Sequence, residues 1–103
     1  ARDRGERGHE AYALRLLGEI AAHSDPPDAE RAEDHYQQSL ALAEELGMRP
    51  LVAHCHLGLG ALYPKVARLE QARAELSSAV ELFRSMEMTL WLSQAEAALA
   101  KVE

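Results

Sequence analysis

The densest run of metal-ligating and nucleophilic side chains in the chain is His54-Cys55-His56. Two chemistries use these residue types. Zinc takes imidazole and thiolate ligands, and a Cys–His pair makes a nucleophile when the imidazole activates the thiol. Both need the side chains to converge on one point. Consecutive residues of a helix diverge by about 100°, so this run does not converge. A zinc ion would need further ligands from His23 or His35, and no segment offers an oxyanion hole. The simpler reading packs Cys55 and His56 between helices and leaves His54 exposed. Acid pairs such as Glu44-Glu45 read as solvated helix faces. No catalytic residue, metal or cofactor is expected, and the chain is not expected to be an enzyme.

The totals point to an all-α chain. It has 103 residues, enough for one domain with a modest core. Ala, Leu and Glu dominate, while Val, Ile, Thr and Phe are scarce. A net charge of −6 argues against nucleic acid and anionic membrane as partners. Cys55 is the single cysteine, so no internal disulfide is available and a cytoplasmic setting is expected. No apolar run approaches the roughly 20 residues of a membrane helix. The chain opens on Ala1 rather than Met, which suggests a fragment of a larger protein or a processed terminus.

Five helices are expected, over about His9–His23, Asp28–Leu46, Pro50–Tyr63, Leu69–Met86 and Leu90–Val102. Asp25 or Asp28 can cap the second helix, and Gly47 can close it in a left-handed conformation. Pro50 suits the first turn of the third. Pro64 has no N–H for the Gly60 carbonyl, so that helix should end or bend there. Thr89 is a candidate N-cap for the fifth. Residues 1–8 read as the remnant of a preceding helix closed by Gly5, or as a frayed start.

A self-comparison orders these elements. A shift of 40 places Ala32, Tyr36, Ser39 and Ala43 on Ala72, Leu76, Ala79 and Phe83, and Leu46-Gly-Met48 on Met86-Glu-Met88. A shift of 42 places Leu17-Gly18 on Leu59-Gly60. The units are then residues 9–47, residues 48–87 and a terminal helix over 88–103, after a leader of 1–8. The residues His56, Leu59, Gly60, Tyr63, Ala72, Leu76 and Ala79 carry a motif of large, Leu-Gly, Tyr, Ala, large and Ala positions. Leu14, Leu17, Gly18, Ala21, Ala32, Tyr36 and Ser39 are its first copy.

In these residues the chain resembles the tetratricopeptide repeat. It departs at His56, at Pro64, at Ala67 where a Gly is common, and in units longer than about 34 residues. The long units and Glu-Leu-Gly-Met joint look like the C-terminal repeats of large bacterial signalling proteins that carry ATPase, cyclase or DNA-binding domains. The resemblance implies a right-handed superhelix of antiparallel helix pairs that binds proteins without catalysis. It also implies a concave face lined by the first helix of each unit. By position that face holds Tyr12, Arg15, Glu19, His23, His54, Leu57, Ala61, Lys65, Gln94, Ala97 and Lys101. Arg15, Lys65 and Lys101 would suit an acidic protein or peptide segment. The alternative is a small-ligand sensor using Tyr12, Arg15 and His54. The last helix, with Trp91, Leu99 and Val102, has no partner after it, so it offers a surface for self-association unless it caps the chain as a monomer.

Overall fold

A computed structural model describes residues 4–103, all in helices and their joints. The elements are α1 (Arg4–Ala22), α2 (Ala29–Leu46), α3 (Arg49–Leu62), a 3-10 turn (Tyr63–Val66), α4 (Leu69–Ser85) and α5 (Thr89–Val102). No helix is long and apolar enough to cross a membrane. Each helix packs on the next, and the odd-numbered helices adjoin, α1 beside α3 and α3 beside α5. Contacts run in opposite order along neighbours, so consecutive helices are antiparallel. Arg7 pairs with Glu45 and Ala11 with Ser39. Ser39 meets Cys55 and Glu33 meets Tyr63.

Small residues set how closely the helices cross. Ala11, Ala32, Ala43, Ala72, Ala79 and Ala95 are fully buried. A Cβ on Gly18 would come within 3.0 Å of the Tyr36 ring, and one on Gly58 within 2.6 Å. Tyr36 of α2 is therefore held between α1 and α3 by two missing side chains. Gly60 plays the same part toward Leu76, whose Cγ and Cδ2 leave no room for a Cβ. Buried Ser39 links the same three helices. It donates to the Ala11 carbonyl (2.7 Å) and accepts from the Cys55 thiol (3.2 Å).

The joints follow local chemistry. The Asp28 side chain accepts from the Arg31 amide and caps α2. Gly47 closes it at φ 70°, with its successor's N–H bonded to the Ala43 carbonyl. Glu87, forty residues on, adopts φ 55° and repeats the pattern, the Met88 N–H bonding to the Phe83 carbonyl. Ala67 also takes a left-handed turn, at φ 60°, after the 3-10 turn that Pro64 enforces. Across this joint the Tyr63 hydroxyl donates to Glu33 (2.6 Å), Arg68 donates to the other Glu33 oxygen (3.0 Å), and the Arg68 guanidinium lies 4.5 Å from the Tyr63 ring centroid.

Two expectations are corrected. Gly5 closes no helix, because α1 runs unbroken from Arg4, and among the described glycines only Gly47 has a positive φ. The Arg7–Glu45 ion pair ties the start of α1 to α2; residues 1–3 lie outside the described residues. Thr89 is the first residue of α5, and Met88 precedes it without a side-chain cap. In the terminal helix Ala95 is buried, and Trp91, Leu92 and Leu99 are partly buried against Ala79, Val80 and Phe83. Leu90 is its exposed large apolar side chain, whereas α1 exposes four.

Two outcomes follow. Gly60→Ala is expected to destabilise the fold by about 1–3 kcal/mol, because buried Leu76 cannot yield. Gly8→Ala meets only ordinary contacts and should gain up to about 1 kcal/mol from helix propensity. Urea unfolding of both variants checks the contrast, and equal effects would refute it. The hydrogen bond from Tyr63, then that from Arg68, holds the Glu33 carboxyl below its usual pKa. Burial, then the bond to Glu33, pushes the Tyr63 hydroxyl up to about 12. The Glu33 contribution to stability is thus full above its unfolded pKa and lost as pH falls through the folded value. That of Tyr63 is full below about pH 10 and lost as pH rises toward 12. Unfolding of Glu33→Gln across pH 3–8 should show a deficit that shrinks on the acid side.

Candidate functional site

A groove of about 490 Å³ opens where α1, α3 and α5 lie side by side. Its floor is the ring of Tyr36, reached through the gap that Gly18 and Gly58 leave. Burial first, and then the negative charge of Glu19, push the Tyr36 hydroxyl well above its ordinary pKa, so it stays a neutral phenol. Arg15 and Glu19 occupy successive turns of α1, with a 3.4 Å contact between them. Lys65 reaches from the 3-10 turn to the Ala22 carbonyl at 3.5 Å, which fixes it at the rim. His23 closes the end of α1, its Nδ1 lying 2.9 Å from the Glu19 carbonyl.

His54 stands at the wall between α3 and α5. Its ring meets Trp91 edge-on at 4.5 Å and Phe83 at 5.2 Å, and those two rings stack at 6.4 Å. One imidazole thus joins α3, α4 and α5, which corrects the expectation of an exposed His54. Desolvation, followed by the charge of Arg15, lowers its pKa below the usual 6.5, with Glu19 opposing. The ring is therefore neutral at pH 7. Its Nδ1 and the Nε of Arg15 are buried atoms with no hydrogen-bond partner among the described residues.

Eight of the residues assigned to a concave face line this groove: Arg15, Glu19, His23, His54, Leu57, Ala61, Lys65 and Gln94. Tyr12, Ala97 and Lys101 do not; Tyr12 lies one turn before Arg15 on the open side of α1, and Lys101 lies two turns beyond Gln94. Leu16, Ala22, Tyr36, Gly58, Leu62 and Trp91 line it unforeseen. Gly58 was the available signal. A second glycine two residues before Gly60 faces a different neighbour and implies a large side chain from α2 beneath it.

Arg15 and Lys65 against Glu19 give the groove a formal charge of +1, on a chain of −6. The His54-Cys55-His56 run diverges as helical geometry requires. His56 pairs with Glu75 of α4 at 2.7 Å. Cys55 is buried, and that burial pushes its thiol above the ordinary pKa. Among the described residues no group of three or more His, Cys, Asp or Glu side chains could hold a metal ion. A broader depression, about 880 Å³, runs along α2 between Asp28 and Gln37, but one helix alone lines it. No protein family, curated protein or solved structure matches the chain. What its own geometry defines is an all-helical protein with a cationic groove formed by alternate helices.

The single tryptophan makes His54 measurable. Trp91 fluorescence should change on acidification with a midpoint below pH 6.5, as the adjacent imidazole protonates. His54→Gln should abolish the transition. A midpoint at or above 6.5, or one that survives the substitution, would contradict the buried neutral ring.

Proposed function

We propose that the chain is a non-catalytic interaction module of tetratricopeptide type, whose groove holds an acidic peptide segment of a partner protein. The observation that carries this reading is the groove itself. Three helices contributed by successive units converge on one cationic trough in an otherwise acidic molecule. Arg15 and Lys65 are placed to pair with carboxylates, and Leu57, Trp91 and the Tyr36 ring offer apolar contact beside them. Matched packing of Gly18 on Tyr36 and Gly60 on Leu76, with the shared joint geometry at Gly47 and Glu87, supports a stacked right-handed superhelix. The module would work in the cytoplasm as part of a larger bacterial signalling protein, relaying partner binding to a linked domain. The buried Cys55 thiol offers no nucleophile, which is why catalysis is not proposed.

A second reading, a small carboxylate ligand, is favoured by the unpartnered Arg15 Nε and His54 Nδ1. The groove volume lies within the range of about 300–1,000 Å³ typical of small-ligand sites. Fluorescence anisotropy with a labelled Asp/Glu-rich peptide, beside thermal shift with small dicarboxylates, separates the two. Peptide binding should weaken steeply with salt. Arg15→Ala and Lys65→Glu should each reduce it by about tenfold or more. Binding indifferent to both substitutions would refute the groove as the site.

A further inference from the structure

Lys65, one of the two fixed cations of the groove, is carried by the 3-10 turn Tyr63–Val66 and not by a long helix. Little in the backbone of that turn holds it. Pro64 has no N–H to donate. The turn is closed by the Ala67 N–H on the Pro64 carbonyl (3.2 Å) and the Arg68 N–H on the Tyr63 carbonyl (3.0 Å). Ala67 stands at φ 60°, a left-handed conformation that is costly for alanine and persists only where the surroundings impose it. The Lys65 amine lies 3.5 Å from the Ala22 carbonyl at the end of α1. That contact is long for a hydrogen bond, so the turn must be held from elsewhere.

One carboxylate holds both ends of the stretch. Glu33 of α2 accepts from the Tyr63 hydroxyl through one oxygen (2.6 Å) and from the Arg68 guanidinium through the other (3.0 Å). The guanidinium also lies 4.5 Å from the Tyr63 ring centroid. Tyr63 is buried, so the core anchors the first end. Arg68 is partly exposed, and Glu33 ties it back to that anchor. Arg68 directly precedes α4, so its position sets where the turn stops. Glu33 itself lines a separate hollow with Ala29, Leu62 and Val66 and takes no part in the groove wall. Lys65, between the two clamped ends, reaches the other way, to α1.

We infer that Glu33 is a positioning residue for the groove: by clamping Tyr63 and Arg68 it sets the turn that presents Lys65 to a ligand carboxylate. Glu33 acts through Lys65 and touches no ligand. The inference rests on the groove as the site of an acidic peptide. Charge separates this role from a field effect. Glu33→Gln removes a negative charge, which by field alone strengthens binding of an acidic peptide, and Arg68→Ala does the reverse. The clamp requires both to weaken it.

The test has two readouts. Without ligand, amide hydrogen exchange is followed at Ala67 and Arg68, with α5 as the internal reference. Glu33→Gln and Arg68→Ala should each speed exchange at those two amides more than in α5. Arg68→Lys, which keeps the ion pair, should retain most of the protection. With the labelled Asp/Glu-rich peptide, anisotropy should show a loss of about threefold or more for Glu33→Gln and for Arg68→Ala. In a Lys65→Ala chain, Glu33→Gln should no longer weaken binding. Unchanged exchange in Glu33→Gln overturns the clamp, whatever the peptide does. Faster exchange with binding unchanged or strengthened overturns the link to the groove. A loss that persists in the Lys65→Ala chain overturns Lys65 as the route. No binding by the native chain overturns the groove reading and with it the role of Lys65, while exchange still decides the clamp.

Discussion

Two helices cross closely only where one of them lacks a side chain, and the architecture of this chain depends on that limit. Tyr36 is the plainest case. Its ring fits because Gly18 and Gly58 both lack a Cβ, and so one residue of α2 draws α1 and α3 together. The buried alanines act likewise at the other crossings. Ser39 adds direction to this packing. A buried hydroxyl must be satisfied, and it is satisfied only when the Ala11 carbonyl and the Cys55 thiol sit on either side of it. Apolar contact alone would permit sliding, whereas this pair of hydrogen bonds sets the register of three helices.

The groove is a consequence of that spacing. Where α1 and α3 come together over Tyr36, the groove lies above its ring. Its electrostatics follow from partial burial. Arg15 is partnered by Glu19 across one turn, yet its Nε has no partner among the described residues. Desolvation beside Phe83 and Trp91, and then the charge of Arg15, disfavour a charged His54. The trough thus combines the cations of Arg15 and Lys65 with the neutral imidazole of His54.

Much of the fold was legible because its signals are local or periodic. Pro64 ends a helix for want of an N–H, Asp28 caps one, and Gly47 turns left-handed. The groove was legible to the extent that equivalent helices place equivalent positions on one side, which located Arg15, His54 and Lys65. It failed at the ends. Tyr12 and Lys101 share that side but lie outside the stretch where three helices meet. Gly5 misled because a glycine near a chain start has two readings, and only contact with α2, through Arg7 and Glu45, decides between them. His54 misled because its exposure depends on Trp91, thirty-seven residues away (91 − 54).

The sequence by itself determined the helices and most of their ends, since each rests on neighbours in the chain. Tertiary structure alone decided which faces remain open. The same Leu17 and Leu59 pattern is exposed on α1 and buried on α3, because burial belongs to what lies across the interface and not to the residue. It also decided the charge state of His54 and the floor of the groove. Both arise from groups distant in sequence that share a small, poorly hydrated volume.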